Sequence, residues 1–549
     1  MNAATFCEQF ATFAEAPNGV AKLRELILQL AVQGKLGTQD VNDEPVEELF
    51  HRLELHRAPP TTEPSSRSSG AAFANLPSSW AVVSLDEIAN IVYGKNLPTS
   101  QLKPDGFPVF GANGVIGCYD RFLYETPQLL ISCRGAYSGK INMSPPKAFI
   151  TNNSLVVELF AGLEPAREYL FHALAAIDRS AMITGTAQPQ VTVGNAVHLR
   201  IPFPPLAEQR RIVGKVDQLL GLCDELAACQ AARREARSAL VGATLDRLVS
   251  ARSAAEFPAH AHRLRDHFDR LFDTPSTIPQ LRQAMLQLAV QGQLVPQDPN
   301  DEPAETLLSK IHQRRRELVA EGKLAAIPKP VPLADGEVEA VIPEHWRWAR
   351  LNDLVSVMDS GWSPACDEEP TTDESEWGVL KTTAVQTLFF NQAAHKRLPS
   401  GLKPRPEAEA KAGDLLITRA GPQNRVGISC LVKSVRSRLM ISDKIIRFHL
   451  IEPFLFEEFI ALCLNAGTSQ AHIERAKSGM AASQMNISQV KFRMTPIPIA
   501  PLSEQKRIVS KVTELLSLCD ALEAKLTQAE SASTQLLSAA VHHLLSHSA

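Results

Sequence analysis

The sequence lacks several features that would place the protein in other classes. No apolar run reaches the ~18 residues of a membrane span, and the N-terminus has neither the basic start nor the apolar core of a signal peptide. The nine cysteines are scattered, with no Cys-x-x-Cys pair, which predicts reduced thiols in a cytoplasmic protein. The formal net charge is −4, so contact with nucleic acid would have to come from local basic patches.

Established catalytic motifs are also missing. The segment Gly135–Lys140 resembles a phosphate-binding loop, but three residues separate its glycines where four are needed, and Ile141 stands where Ser or Thr is required. There is no Gly-x-Ser-x-Gly and no Asn/Asp-Pro-Pro-Tyr segment. Neighbouring histidines near positions 260 and 542 are more consistent with solvated side chains than with metal ligands. The sequence therefore predicts no metal site and favours a non-catalytic protein.

What the sequence does contain is a long duplicated segment. Ile201–Leu226 and Ile497–Leu522 are identical at 17 of 26 positions, so the chain carries an internal repeat. Prolines at the start of each copy favour extended backbone. After them nothing breaks a helix for about 45 residues, which at ~1.5 Å per residue predicts a rod about 65 Å long.

Apolar residues in each copy alternate by four and three positions, which is the spacing of a coiled-coil seam. The predicted seam residues are Ile212, Val216, Leu219, Cys223 and Leu226 in the first copy, and Ile508, Val512, Leu515, Cys519 and Leu522 in the second. Charged residues occupy the other faces. Two like helices in one chain most simply pair with each other, so we expect a pair of long antiparallel coiled-coil helices.

A second duplicated segment is predicted to be helical. Leu23–Leu53 and Leu281–Ile311 are identical at 18 of 31 positions, and both contain Leu-Gln-Leu-Ala-Val-Gln-Gly followed by Asn-Asp-Glu-Pro. The glycine is a helix stop. The order of the repeats splits one scaffold unit between the two ends of the chain. We therefore expect a pseudo-two-fold molecule in which the termini lie close together and complete one scaffold.

The repeats and composition divide the chain into seven segments. They are an N-terminal helical repeat (1–57), a linker (58–76), a first domain (77–205), a central long helix with the second helical repeat (206–324), a linker (325–342), a second domain (343–500) and a C-terminal long helix (501–549). Glycines and short β-rich runs in both domains predict mixed α/β folds, so the fold class is α+β. The domains resemble each other in outline but diverge elsewhere, as expected of one scaffold that holds two domains with different targets.

Local charge and polar loops suggest nucleic-acid contact. Residues 377–447 contain 13 Lys/Arg against four Asp/Glu, and the acidic block Asp367–Glu376 just before them is expected to be a solvated loop. Polar residues that can pair with base edges recur at corresponding loops in the two domains. The candidate DNA-binding residues are Arg134, Tyr137, Lys140, Asn152, Asn153, Thr186, Gln188 and Gln190 in the first domain, and Lys381, Arg419, Gln423, Asn424, Arg425, Gln484 and Asn486 in the second. Each could also be an ordinary polar turn residue beside a strand.

These motifs together resemble a known family. Pro-Pro-Leu-x-Glu-Gln-Arg-Arg-Ile-Val at 204–213, its repeat at 501–509, the duplicated Leu-Gln-Leu-Ala-Val-Gln-Gly and the segment Gly413-Asp-Leu-Leu-Ile-Thr are similar to those of specificity subunits of type I restriction–modification systems. The resemblance covers essentially the whole chain. It implies two target-recognition domains, each reading half of a bipartite asymmetric site on double-stranded DNA, with the paired helices fixing the spacer and docking other subunits.

The resemblance also implies partners and cofactors. Two modification subunits would carry S-adenosylmethionine and methylate adenine, and restriction subunits that use ATP and Mg²⁺ would join them. The assembled complex would be an adenine methyltransferase and an ATP-dependent endonuclease, whereas this chain would be non-catalytic and bind no cofactor. Two other functions stay open at this point: an autonomous DNA-processing enzyme such as a nuclease, and a structural coiled-coil adaptor.

Overall fold

A computed structural model describes residues 10–37, 39–55, 73, 76–185, 188–251, 256–324, 332–334, 336–338 and 340–547. The chain forms two compact units. Unit 1 comprises Met1–Glu235 with Gln528–Ala549, and unit 2 comprises Ala236–Thr527. Most of the linker predicted at 58–76, and much of the one predicted at 325–342, lies outside the described residues.

Fifteen α-helices occur in the described ranges. They are α1 (Phe10–Glu15), α2 (Gly19–Val32), α3 (Val46–Arg52), α4 (Arg167–Ala176), α5 (Val193–Ala196), α6 (Leu206–Val249), α7 (Glu256–Asp266), α8 (Phe268–Leu271), α9 (Ile278–Val290), α10 (Ala304–Ala320), α11 (Leu351–Leu354), α12 (Glu457–Leu464), α13 (Gly467–Ala476), α14 (Gln489–Arg493) and α15 (Leu502–His547). The two predicted long helices are confirmed as α6, with 44 residues, and α15, with 46 residues.

The strands of the first domain, in unit 1, are β1 (Ala81–Ser84), β2 (Ala89–Tyr93), β3 (Phe107–Phe110), β4 (Val115–Tyr119), β5 (Leu129–Ser132), β6 (Ile141–Met143), β7 (Phe149–Ile150), β8 (Ser154–Leu159), β9 (Ile183–Thr184), β10 (Gln190–Val191) and β11 (Arg200–Phe203). Those of the second domain, in unit 2, are β12 (Arg347–Arg350), β13 (Val355–Ser360), β14 (Gly378–Leu380), β15 (Val385–Gln386), β16 (Phe389–Phe390), β17 (His395–Arg397), β18 (Leu415–Thr418), β19 (Ala420–Gly421), β20 (Ser429–Leu431), β21 (Leu439–Met440), β22 (Ile445–Leu450), β23 (Met485–Asn486) and β24 (Pro496–Ile499).

The two domains have the same sheet topology. A four-stranded antiparallel sheet has the order β2-β8-β5-β6 in the first domain and β13-β22-β18-β20 in the second, and a three-stranded sheet has the order β4-β3-β7 and β17-β14-β21. In each three-stranded sheet one pair is parallel, β3 with β7 and β14 with β21. The central strands β5 and β18 are buried at every position and are apolar except for their last residues, Ser132 and Thr418. The predicted fold class is therefore confirmed, and the insertion that lengthens the second domain includes the extra hairpin β15–β16.

The duplicated Glu-Gln pair at the start of each long helix joins that helix to its domain. The Trp80 indole donates through Nε1 to Glu208 Oε2 at 2.9 Å, and the Trp346 indole donates to Glu504 Oε2 at 3.0 Å. Both carboxylates are buried, and burial raises the pKa of each. The neighbouring glutamines turn back to the preceding proline segment and donate to the carbonyls of Pro204 and Ala500. The motif therefore fixes the angle at which each helix leaves its domain.

The Asn-Asp-Glu-Pro repeat has a matching role. Arg211 pairs with Asp43, and Arg507 pairs with Asp301 at 2.6 Å, so each long helix is held to the turn that follows its helical repeat. Each of these arginines lies two positions after the glutamine of the Glu-Gln pair. Both duplicated motifs are therefore explained as the two sides of one scaffold contact.

The predicted seam residues have more than one partner. Ile212 and Val216 are buried in the main core of unit 1 with residues of α3, β1 and β11, and Ile508 and Val512 occupy the same position in the core of unit 2. Cys223 packs with Leu226 on Ala14 and Leu23. Leu219 and Leu515 are half-buried. A 3.5-residue stripe marks a buried face of a helix but does not identify what covers it.

Contact between the two long helices occurs further along. In unit 2, Cys519 and Leu522 of α15 share a cluster with Val241 and Leu245 from the end of α6 and with Leu281 of α9. In unit 1, the end of α15 packs on the N-terminal helices through a cluster formed by Phe13, Ala16, Leu26, Leu537, Ala540 and Val541. Each unit therefore combines the start of one long helix with the end of the other. The prediction that segments from both ends of the chain complete one scaffold is confirmed.

Candidate nucleic-acid interface

In the first domain three polar loops meet at the end of β5. The Cys133 amide donates to the carbonyl of Asn153 at 3.0 Å, and the Val191 amide donates to the carbonyl of Cys133 at 3.0 Å. The turn 133–140, the turn 151–153 and the paired strands β9 and β10 are thus joined through the backbone. The Ser138 hydroxyl adds a bond to the carbonyl of Pro189 at 2.6 Å. The structure therefore brings together the loops that were predicted to contact DNA.

We call the loops joined by these hydrogen bonds the frame of the domain. The second domain repeats the frame with different side chains. The Arg419 amide donates to the carbonyl of Lys444 at 2.8 Å, and the Ile487 amide donates to the carbonyl of Arg419 at 2.9 Å. The glycine amides also match, since Gly139 bonds to the carbonyl of Ser132 and Gly427 to that of Thr418, each at 2.8 Å. Cys133 and Arg419 are therefore equivalent positions in the backbone frame, and the two predicted arginines, Arg134 and Arg419, are offset by one residue.

Side chains at the first-domain frame are mostly exposed. Lys140 Nζ lies 2.5 Å from Asn113 Oδ1 and 5.8 Å from the centre of the Tyr137 ring. The other predicted residues divide by exposure: Arg134, Gln188 and Gln190 are exposed, and Asn152 and Asn153 are half-buried. Thr186 lies outside the described residues.

The second-domain frame presents Arg419 with exposed amides around it. Arg419 is half-buried, and its guanidinium has no hydrogen bond or ion pair within the described ranges. The exposed predicted residues are Gln423, Asn424, Gln484 and Asn486. The Gln423 backbone is fixed on both sides, because its amide donates to the carbonyl of Ala482 at 2.7 Å and its carbonyl accepts from Lys477 Nζ at 2.9 Å.

Two predicted contacts have partners inside the domain. The Arg425 guanidinium donates to the carbonyls of Thr382 and Val385 at 2.8 and 2.7 Å and to Gln386 Oε1 at 3.2 Å, and burial lowers its pKa. Arg425 therefore braces β15 and the turn that precedes it. Lys381 is half-buried and donates through Nζ to the carbonyl of Glu368 at 3.1 Å.

The acidic block Asp367–Glu376 is exposed at every position except Thr371, as expected of a solvated loop, but two of its carboxylates pair with nearby basic side chains. Lys396 pairs with Glu368 at 2.5 Å, and Arg397 pairs with Asp367. Arg436 donates to the carbonyl of Glu376. Part of the local positive excess is therefore paired with carboxylates at the surface of the domain, and the unpaired excess is smaller than a count over residues 377–447 suggested.

Three exposed residues at the frames were not predicted. Lys95 forms a bridge with Thr151, Asn113 contacts Lys140, and Lys444 lies beside Arg419. Lys444 was inside the basic window, so a charge count could have found it. No sequence signal marked Lys95 or Asn113, because each is brought to the frame by a strand that is distant in sequence.

No cluster of three or more His, Cys, Asp or Glu side chains that could hold a metal ion occurs among the described residues. None of the helices in the described part of the chain is long and apolar enough to span a membrane.

Two domains with one backbone frame and different exposed side chains, each joined to a long helix, define a protein with two recognition modules on a helical scaffold. The family model described as type I restriction modification DNA specificity domain matches residues 77–231 and 344–530. The chain therefore belongs to the family of type I restriction–modification specificity subunits, which confirms the resemblance.

Two specificity subunits of Escherichia coli agree with this assignment. The chain is 37% identical over 556 residues to the type I restriction enzyme EcoEI specificity subunit of Escherichia coli, covering 95% of this chain and 93% of that protein. It is 28% identical to the EcoAI specificity subunit of E. coli, with 92% and 90% covered. The crystal structure of the HsdS subunit from Thermoanaerobacter tengcongensis is 18% identical, with a TM-score of 0.35, covering 86% of this chain and 97% of that chain.

Proposed function

We propose that this chain is the DNA-recognition subunit of a type I restriction–modification complex, and that each domain reads one half of a bipartite, asymmetric site. The observation that carries the proposal is the repeated backbone frame. The same inter-loop hydrogen bonds recur in both domains, while the side chains at equivalent positions differ. Such an arrangement keeps the docking geometry and changes the sequence that is read.

The chemistry at each frame fits double-stranded DNA. Arginine pairs with guanine, and glutamine or asparagine pairs with adenine, in the major groove. Arg419 has a guanidinium without a partner among the described residues, next to exposed amides. Exposed Lys444 and Lys95 suit contacts to phosphate, which position a protein on the duplex without reading sequence. In this proposal Arg419 reads a base and the lysines hold the backbone.

The long helices would set the spacer between the half-sites. Their residues 206–235 and 502–527 each belong to the unit of the preceding domain, and the remainder belongs to the other unit. Each helix is fixed to its domain through the buried Trp–Glu contact. A change in helix length would therefore shift the whole domain together with the start of its helix. DNA advances about 3.4 Å per base pair, so helix length maps onto the number of spacer base pairs.

The partners would be two modification subunits and then restriction subunits. The repeat leaves large leucines exposed at equivalent positions of the two long helices: Leu222 and Leu518 are 54% and 60% exposed, and Leu240 and Leu536 are 58% and 64% exposed. Apolar residues exposed in duplicate support two equivalent contacts with a protein partner. Arg210 and Lys506 are exposed beside the scaffold contact and stay candidates for docking, whereas Arg211 and Arg507 are paired within their units.

Catalysis would belong to the partners. We propose that S-adenosylmethionine, ATP and Mg²⁺ bind to the modification and restriction subunits, that adenine methylation and ATP-dependent cleavage occur there, and that this chain binds none of these cofactors. As part of a complex that acts on chromosomal DNA, the chain would work in the cytoplasm.

The proposal is tested by binding the full chain, with and without its modification subunits, to a random duplex library and sequencing the bound fraction. We expect two short motifs separated by a fixed gap. Bound DNA without sequence enrichment would contradict the proposal and leave the structural adaptor. Cleavage of the library by the chain alone with Mg²⁺ would instead support the autonomous nuclease.

A further inference from the structure

Each frame has an additional hairpin tip beside it. Hairpin tip 1 comprises residues 111–116, which are the turn after β3 and the first two residues of β4. Hairpin tip 2 comprises residues 382–390, which follow β14 and include β15 and β16. They occupy equivalent places, because β3 and β14 each pair in parallel with the strand that leads into a frame loop. Neither tip was predicted as a contact from the sequence.

Hairpin tip 1 is tied directly to the first-domain frame. The hydroxyls of Ser132 and Ser154 donate to the carbonyls of Ala112 and Gly111, and Lys140 Nζ reaches the Asn113 side chain at 2.5 Å. The Gly111 amide closes the turn on the carbonyl of Gly114 at 2.8 Å. The tip is therefore held rigidly against the frame.

Hairpin tip 2 is tied to its frame by the equivalent turn. Three bonds from the Arg425 guanidinium hold the segment from Thr382 to Gln386, and the Leu388 amide donates to the carbonyl of Ser429 at 3.1 Å. Leu388 adopts φ 59°, a left-handed conformation that is strained for a bulky L-residue and persists only where its surroundings impose it. In both domains a basic side chain of the frame turn thus braces a hairpin tip.

Both tips expose large apolar side chains. Val115 and Ile116 are 56% and 47% exposed at hairpin tip 1, and Phe389 is 62% exposed at hairpin tip 2. The bracing cations Lys140 and Arg425 are engaged with protein atoms, whereas the apolar side chains of the tips are exposed. An exposed apolar side chain held beside polar loops that suit base edges matches the one apolar group that a base pair offers in the major groove, the thymine 5-methyl.

We propose that the two hairpin tips are thymine-reading elements, in which Val115 with Ile116, and Phe389, contact a thymine 5-methyl group in their respective half-sites. This inference rests on the proposed function and deepens it, because it assigns part of the specificity to segments outside the polar loops. Lys140 and Arg425 act as positioning residues for the tips.

Uracil substitution tests the proposal, because uracil lacks only the 5-methyl group. The full chain with its modification subunits is first bound to a random library to define both half-sites. Each thymine of the selected duplex is then replaced in turn by uracil, and the affinity is measured. Loss of one buried methyl contact corresponds to about a fourfold weaker affinity, so we expect at least one uracil position in each half-site to weaken binding by about that factor.

Three variants make the test specific. Val115→Ala with Ile116→Ala should abolish the uracil penalty in one half-site, and Phe389→Ala should abolish it in the other. In each variant the penalty at the half-site of the unaltered domain should persist, which serves as the control that the chain still folds and binds. Val357→Ala removes a side chain of similar exposure from β13 and should leave both penalties intact. Wild-type binding without any uracil penalty, or variants that retain the full penalty, would overturn the inference while leaving the proposed function in place. A wild-type complex that selects no motif would overturn both.

Discussion

Removing the indole donor from the Trp346–Glu504 contact tests whether this contact locks the long helix to its domain. Trp346 is 1% exposed and its Nε1 donates to a carboxylate that is also 1% exposed. Trp346→Phe removes a hydrogen bond to a charged group, worth about 1.5–3 kcal/mol, and about two methylene equivalents of buried surface, worth about 1.5 kcal/mol. We therefore expect local destabilisation of about 3–5 kcal/mol.

A double-mutant cycle separates these contributions. Glu504→Met replaces the acceptor with an apolar group of similar size, so the double variant lacks both partners and should be less destabilised than the sum of the singles. The expected coupling is about 2 kcal/mol, or about a 30-fold change in exchange rate. Hydrogen-exchange mass spectrometry of peptides that cover Trp346 and Glu504 measures this locally, which matters because a chain with two units need not unfold in a single step.

The first unit supplies a matched comparison. Glu504 also accepts from Gln297 at 2.6 Å, whereas the second oxygen of Glu208 has no partner among the described residues. Trp80→Phe therefore leaves a buried carboxylate without any hydrogen bond to a side chain, and the coupling should be larger for Trp80 with Glu208. Additive effects within about 0.5 kcal/mol in both units would refute the assignment of a locking role.

Three further predictions concern DNA reading, pH and spacing. Arg419→Ala should relax specificity at one base pair at a cost of about 1–3 kcal/mol, whereas Lys444→Ala should weaken all sequences equally and reduce the salt slope by about one; equal losses on every sequence for both variants would contradict the division of roles. Burial raises the pKa of Glu504, so the protonated carboxyl stabilises the folded state below the unfolded pKa of 4.5 and this contribution is lost as pH rises through the folded pKa. In urea unfolding, Glu504→Gln should therefore become more stable than wild type as the pH approaches neutrality. A difference in stability that does not change with pH would refute this. Inserting four residues in both long helices, after 235 and after 527, adds about 6 Å to each helix. In a binding selection this should lengthen the spacer by about one or two base pairs without changing either half-sequence. An unchanged spacer would refute the proposal that helix length sets the spacer.

The scaffold could be predicted from the sequence because its contacts are duplicated. The repeats gave both long helices, and the placement of repeat fragments at the two ends of the chain indicated that those ends meet. The helix partners could not be predicted, because a stripe such as Ile212, Val216 and Cys223 identifies a buried face only. The core of the first domain and the N-terminal repeat cover that face.

The candidate interface was predicted at the level of loops and less well at the level of side chains. Corresponding strands in the two domains marked the frames. Arg425 and Arg397 were counted as surface charge, but their partners lie 39–43 and 30 residues away in sequence, a separation that composition does not reveal. The hairpin tips were missed for the same reason, since strand pairing is what brings them to the frames.

Base-resolution mapping of methylated adenine in cells that carry this chain with its modification subunits tests whether each domain reads its own half-site. We expect one bipartite motif with two unlike halves and a constant gap, and we expect Arg419→Ala to change only one half. A continuous motif, or a change in both halves on substitution in a single domain, would contradict this expectation.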